Sequence, residues 1–323
     1  MTMNKDTMFG VLIAAASGLA AALLFVLAGR GAFAALVLGY FAPAPLMVAT
    51  LGFSFWTGLV GAFIGAGFIA ILLHPTIALF YVVGIAAPAL ALCAIALYAP
   101  VGGPGARDEA PSRVAVGAAT LAALSTLFGV LAIVAAAGGY DEAFEQFVQR
   151  VVPLVQSMTR GAKLPADLTV EDIARKLVRF APLMMAATAT LMFSANLWLA
   201  ARAAQISARL PRAWPAIADE LLIPPTLGGV FAVAAGVALV DGLVGTVAGI
   251  VAAALAAAFA LQGLAVAHVL TRGSPFRGGL LVAMYALAAL LPPWPIIFMA
   301  AGGLIDSVFH LRARSGAPPQ IKT

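Results

Sequence analysis

The stretch GGLIDSVFHLRAR, residues 302–314, sets an acid, an imidazole and two guanidinium groups into the end of an apolar run. Asp306, His310 and Arg314 follow one another at helical i,i+4 spacing, so a continuous helix carries them along one broad face, with Gly302 a turn before. Arg312 falls elsewhere around such a helix. A carboxylate in lipid is costly, so Asp306 must face other helices and be paired, either with these bases or with Asn196 or Gln262 in other apolar runs. Two chemistries fit: an ion pair that locks the last helix, or a carboxylate linked to proton or substrate movement. Metal chemistry does not fit, because His74, His268 and His310 are scattered and make neither HExxH nor a facial triad. The chain also lacks GxSxG, a Walker sequence and a GxGxxG after a strand, so no enzyme active site and no cofactor is expected. Cys93 is the single cysteine and lies in an apolar run, which excludes an intrachain disulfide.

The elements that carry these residues must cross a membrane. Of 323 residues, 63% are hydrophobic and 10% charged, far from the composition of a soluble domain. Apolar runs long enough for a hydrocarbon core of about 30 Å recur along the chain. They predict spans at 8–28, 32–50, 53–73, 76–98, 114–137, 181–203, 227–240, 243–270, 279–291 and 294–311. The expected fold is an all-α polytopic bundle of about eight to ten helices, one membrane domain over 1–323. Pro43 and Pro45 interrupt the second and third runs, so 41–53 is either a boundary between two helices or a broken, re-entrant segment.

A net charge of +5 does not indicate nucleic acid, because the arginines are dispersed over short loops. Arg107/Arg113, Arg202/Arg209/Arg212, Arg272/Arg277 and Arg312/Arg314/Lys322 are separated by even numbers of crossings, so one orientation puts them all in the cytoplasm. Both termini are then inside. The polar segment 138–180 is then extracytoplasmic, and its six bases and six acids cancel. Phe144, Phe147, Val148, Val151, Val155 and Met158 recur in it at helical spacing, as in a helix that lies on the membrane or caps the bundle. Thr169 with Asp172 resembles a capping box, Glu171/Arg175 and Asp172/Lys176 are i,i+4 pairs, and Pro182 marks an expected kink. Asp241 precedes a helix start, where an acid favours the dipole. No cluster of polar ligand-binding residues is evident for the outer half.

Glycines are abundant, and Gly61/Gly65 and Gly245/Gly249 form GxxxG stripes that let helices approach closely. Ala14, Gly18 and Ala22 form a small-residue face on the first span, suited to packing within the bundle or to docking a partner subunit.

Three landmarks occur in order: Asn196 with Arg202 at a helix end, Gln262-Gly263, and Gly303, Asp306, Phe309 and Arg312 in a Gly-x-x-Asp-x-x-Phe-x-x-Arg pattern. With the early PAPL at residues 43–46, they resemble the YybS-like family of bacterial membrane proteins, domain of unknown function 2232. That family is similar at fold level to the substrate-binding S components of energy-coupling-factor transporters, and more remotely to membrane subunits of the cell-shape machinery. The resemblance implies a coupling or ATPase subunit docked on Ala14, Gly18 and Ala22, and a ligand taken from the outer side. The expected function is a non-enzymatic, transport-type subunit of the bacterial cytoplasmic membrane. The alternative is a structural or assembly protein that binds other envelope proteins or lipid.

Overall fold

The computed structural model describes residues 5–29, 33–99, 108–160, 165, 168–211, 214–291 and 294–314. Arg107, Arg212 and Lys322, counted above among the basic loops, lie outside the described residues, as does the Pro292-Pro293 pair between the last two spans. The described residues are helical and contain no strand.

Fifteen α-helices follow in order: α1 (Lys5–Ala28), α2 (Phe33–Gly39), α3 (Ala44–Gly52), α4 (Phe55–Leu72), α5 (Pro75–Tyr81), α6 (Ala87–Tyr98), α7 (Ala110–Ala137), α8 (Tyr140–Met158), α9 (Val170–Ile206), α10 (Ile217–Glu220), α11 (Pro225–Val237), α12 (Leu243–Leu270), α13 (Arg277–Leu290), α14 (Trp294–Phe309) and α15 (Leu311–Arg314). A π-helical turn, Val82–Ala86, joins α5 to α6. It lies just ahead of Pro88, which lacks the N–H that would close the regular ladder there. Seven segments are long and apolar enough to cross a membrane, and α11, α13 and α14 are shorter apolar helices. Together they match the ten spans read from the sequence.

Hydrogen bonds gather the arginine-bearing segments at one end of the bundle. Arg272 reaches Asp219, Leu222 N–H reaches Ser112, and Arg312 reaches the carbonyl of Ala218. Arg209 lies over the Phe53 ring at 4.4 Å in the turn between α3 and α4. At the opposite end α8 folds back on the first turns of α9, burying Val148, Val155 and Ala174 around Phe144 and Val151. The apolar stripe of α8 is thus used within a helical hairpin, while Met158 at its end remains exposed. The predicted capping box starts α9: Thr169 Oγ1 accepts from Asp172 N–H, and the Asp172 carboxylate accepts from Thr169 N–H at 2.9 Å. The helix then runs unbroken through Pro182.

The broken second span is real. α2 and α3 are separated by a turn at 40–43, and Asn196 Nδ2 donates to the Tyr40 carbonyl at 2.7 Å. A backbone group freed by the break is thereby satisfied by protein, as an apolar surrounding requires.

Three buried clusters fill the bundle, and two of them share α7 and α9. One joins α3, α6, α7 and α9; a second joins α1, α4, α5 and α6; a third joins α7, α9, α12 and Leu221/Ile223. α12 packs most extensively on α14 and α9. The α12–α14 approach has almost no clearance: a Cβ on Gly303 would collide with the Phe259 carbonyl, and one on Gly263 with the Met299 carbonyl. Gly302 faces open space. Gly303→Ala is therefore expected to cost about 1–3 kcal/mol through overpacking, seen as a lower unfolding temperature in detergent, while Gly302→Ala leaves that temperature unchanged.

Candidate functional site

Gln262 in α12 and Asp306 in α14 are brought together by that close approach. Gln262 Nε2 donates to Asp306 Oδ2 at 2.8 Å, and its Oε1 accepts from Ile223 N–H at 2.8 Å. Arg312 completes the group. Its Nε and Nη2 donate to Asp306 Oδ2 at 3.1 and 2.8 Å, and its backbone N–H points to Oδ1 at 3.3 Å. Nη1 donates to the Ala218 carbonyl at 2.7 Å, and Nη2 also to the Leu221 carbonyl. The side chains of Arg312 and Asp306 are only 7% and 1% exposed. The group fastens α12, α14 and the 217–223 connection to one another, and it leaves the carboxylate no open face for a solute.

Of the partners the sequence left open to Asp306, Gln262 and Arg312 meet it, and the i,i+4 neighbour His310 does not. α14 ends at Phe309, and His310 adopts φ +52°, in the left-handed region. That reversal releases Arg312 from the phase of the helix and curls it back under Asp306. His310 itself is exposed, with Nδ1 3.3 Å from the Val308 carbonyl, and contributes a backbone conformation instead of an ionic partner. The side chain of Arg314 lies outside the described residues.

Asn196 belongs to a different place. Its Nδ2 bridges the Tyr40 and Met192 carbonyls at 2.7 and 2.8 Å, and it does not join Asp306. The proposed docking face of α1 is also corrected. Ala14 and Ala22 are buried, and Gly18 packs so closely on the Gly61 backbone that a Cβ there would overlap the Gly61 carbonyl. α4 of the same chain occupies that face, because GxxxG at Gly61 and Gly65 lets the two backbones meet.

A cleft of about 270 Å³ opens at the opposite end, where the α8–α9 hairpin meets the turn before α12. Tyr140, Asp141 and Glu145 come from α8, Arg175 and Arg179 from α9, and Asp241 and Thr246 from the turn and the start of α12. The hydroxyls of Tyr140 and Thr246 hydrogen bond at 2.7 Å and hold the hairpin to the bundle. Arg175 bridges Glu145 at 2.6 and 3.0 Å and Glu171 at 3.0 Å, and Arg179 meets Asp241 at 2.9 Å. The hairpin end, expected from the sequence to be the outer one, thus does contain a polar cluster, contrary to the reading of its sequence. Its members come from three segments, and the one local sign was Arg175 and Arg179 on successive turns of one face. Among the described residues no group of His, Cys, Asp and Glu is placed to hold a metal ion.

Seven long apolar helices, three shorter ones and polar sites at both ends define a polytopic α-helical membrane protein. A family model described as "Predicted membrane protein (DUF2232)" matches residues 19–307, and the chain belongs to that family. Asn196, Gln262 and Asp306 fall within the match; Ala14, Gly18, His310 and Arg312 fall outside it. No curated protein and no solved structure matches the chain.

Asp306→Asn strands the Arg312 cation in the interior, an effect of about 3–5 kcal/mol for a broken buried pair. The expected result is loss of folded protein, read as abundance after size-exclusion chromatography. His310→Gly should leave abundance unchanged, whereas His310→Val, β-branched at positive φ, should lower it.

Proposed function

We propose that this chain is the solute-binding subunit of a transport system, without enzymatic activity of its own, and that the α8–α9 cleft receives a small solute carrying both charges. The observation that carries this reading is the pairing of Arg179 with Asp241 in the wall of the cleft. Its side chains are 47% and 88% exposed. An exposed pair contributes only about 0–1 kcal/mol, so a solute carboxylate can take the place of Asp241 on Arg179 while Asp241 or Glu145 meets its cation. The volume is small for a site of this kind, which points to a solute the size of an amino acid rather than a cofactor.

The arginine-rich end belongs in the cytoplasm by the positive-inside rule, with both termini inside and the cleft on the outer side of the bacterial cytoplasmic membrane. On the resemblance to S components read from the sequence, coupling or ATPase subunits would supply the energy. The α1 face is occupied by α4, so such subunits dock elsewhere. A structural or assembly role is the second reading, favoured by the exposed apolar side chains Leu154, Met158, Leu177 and Phe180 on the outer hairpin.

Purification in mild detergent separates the two. Co-purifying ATPase and coupling subunits, or a charged small molecule released on denaturation, support transport; a stable complex with envelope proteins and no solute supports assembly. Arg179→Ala is expected to weaken solute retention by roughly tenfold or more, the loss of a charge-assisted hydrogen bond, with abundance unchanged. For the orientation, Arg160→Cys should react with an impermeant thiol reagent in intact cells; reaction only after lysis would reverse the topology.

A further inference from the structure

A second, larger cavity of about 640 Å³ lies at the arginine-rich end, between α7, α9 and α12 beneath the 214–221 connection. Val114, Leu191, Leu261 and Leu264 make most of its wall apolar, and Trp198 and Trp214 flank it. Water has few partners there, and a water molecule needs two to four polar neighbours to be held. One side is closed by α13, which supplies only Tyr285 to the lining and has no buried residue of its own. Tyr285 Oη meets His268 Nε2 at 2.9 Å, the one side-chain hydrogen bond drawing α13 toward the cavity among the described residues. A wall so lightly packed, in a chain surrounded by lipid, opens toward the bilayer.

The rim is polar and basic. Arg272 follows His268 by four residues, and Arg277 opens α13, the helix that carries Tyr285. Arg272 is engaged by Asp219, with Nη2 at 2.9 Å from Oδ2, whereas Arg277 has no ion-pair partner among the described residues. Trp214 adds a third sign, since its indole N–H is buried and has no acceptor among the described residues.

We infer that this cavity binds one phospholipid of the adjacent leaflet, its acyl chain between α9 and α12 and its anionic headgroup on Arg277. The chain meets the apolar wall, the ester carbonyls supply the acceptor that Trp214 lacks, and the phosphate meets the unpaired guanidinium. Each part of the lipid answers a different deficit. A basic pocket between transmembrane helices on the cytoplasmic side is the physical form such sites take.

Trp214 supplies the test. The full chain carrying Trp56→Phe, Trp198→Phe and Trp294→Phe retains it as the single fluorophore and is reconstituted in phosphatidylcholine vesicles with a small fraction of acyl-brominated phosphatidylglycerol. Trp214 emission is expected to be quenched, with saturation at a low lipid fraction. Arg277→Gln should raise the half-saturating fraction about fivefold, the effect of one cation near an anionic surface, and Ser194→Phe should abolish quenching by filling the cavity. Emission indifferent to bromine overturns the site. Equal quenching by brominated phosphatidylcholine and phosphatidylglycerol, unaffected by Arg277→Gln, overturns the headgroup assignment. Should the three replacements prevent folding, the unaltered chain serves in native mass spectrometry: phosphatidylglycerol retained through delipidation supports the site, and a lipid-free chain overturns it.

Discussion

The bundle closes on one buried ion pair. Asp306 and Arg312 lie where α12, α14 and the 217–223 connection meet: α14 carries Asp306, and α12 and the connection each give the pair a hydrogen bond. A buried pair is poor evidence of net stability, because desolvation offsets much of the Coulombic attraction and a well-packed apolar replacement is often as stable. Its contribution is positional. An apolar contact at this junction would tolerate slippage of α14 along α12, whereas a guanidinium shared between a carboxylate and two carbonyls accepts one register. The glycines at 263 and 303 bring the backbones close enough for Gln262 to reach the acid, so the packing and the polar group depend on each other.

How far this was legible in the sequence depends on the range of the interaction concerned. Apolar runs predicted the ten spans closely, since hydropathy and length alone determine which segments suit a bilayer. The capping box at Thr169 and the break at Pro43 were equally legible, being local backbone effects. Asp306 was expected to be paired and directed into the bundle, and it is. Gln262 was among the partners the sequence left open, whereas Arg312 was set on another face because helical phase was extended past His310, where the chain turns left-handed at a residue with no glycine to mark the change. The cleft at the α8–α9 hairpin was illegible for another reason. Asp241 and Glu171 each had a sufficient local role, and only the packing of α12 on α9 places Arg179 opposite Asp241.

α9 ties the two ends together. Its 37 residues, at about 1.5 Å each, extend about 55 Å, well beyond a hydrocarbon core of about 30 Å. The excess projects at the hairpin end and carries Arg175 and Arg179 into the cleft. Further along the same helix Asn196 supports the break between α2 and α3, and Trp198 flanks the larger cavity at the arginine-rich end. One rigid element therefore forms a wall of the charged site and of the apolar one.

The two arginine–aspartate pairs at opposite ends show why burial, not residue type, decides the role. Arg312–Asp306 is 7% and 1% exposed, and Arg179–Asp241 is 47% and 88% exposed. In the first, neither partner can leave without stranding the other charge in the interior, so the pair acts as a fixed joint. In the second, water screens both charges and holds the contact near neutrality in free energy, so a competing carboxylate or ammonium can replace either partner. The immovable pair belongs where helices must keep register, and the exchangeable pair belongs where the cleft opens to solvent.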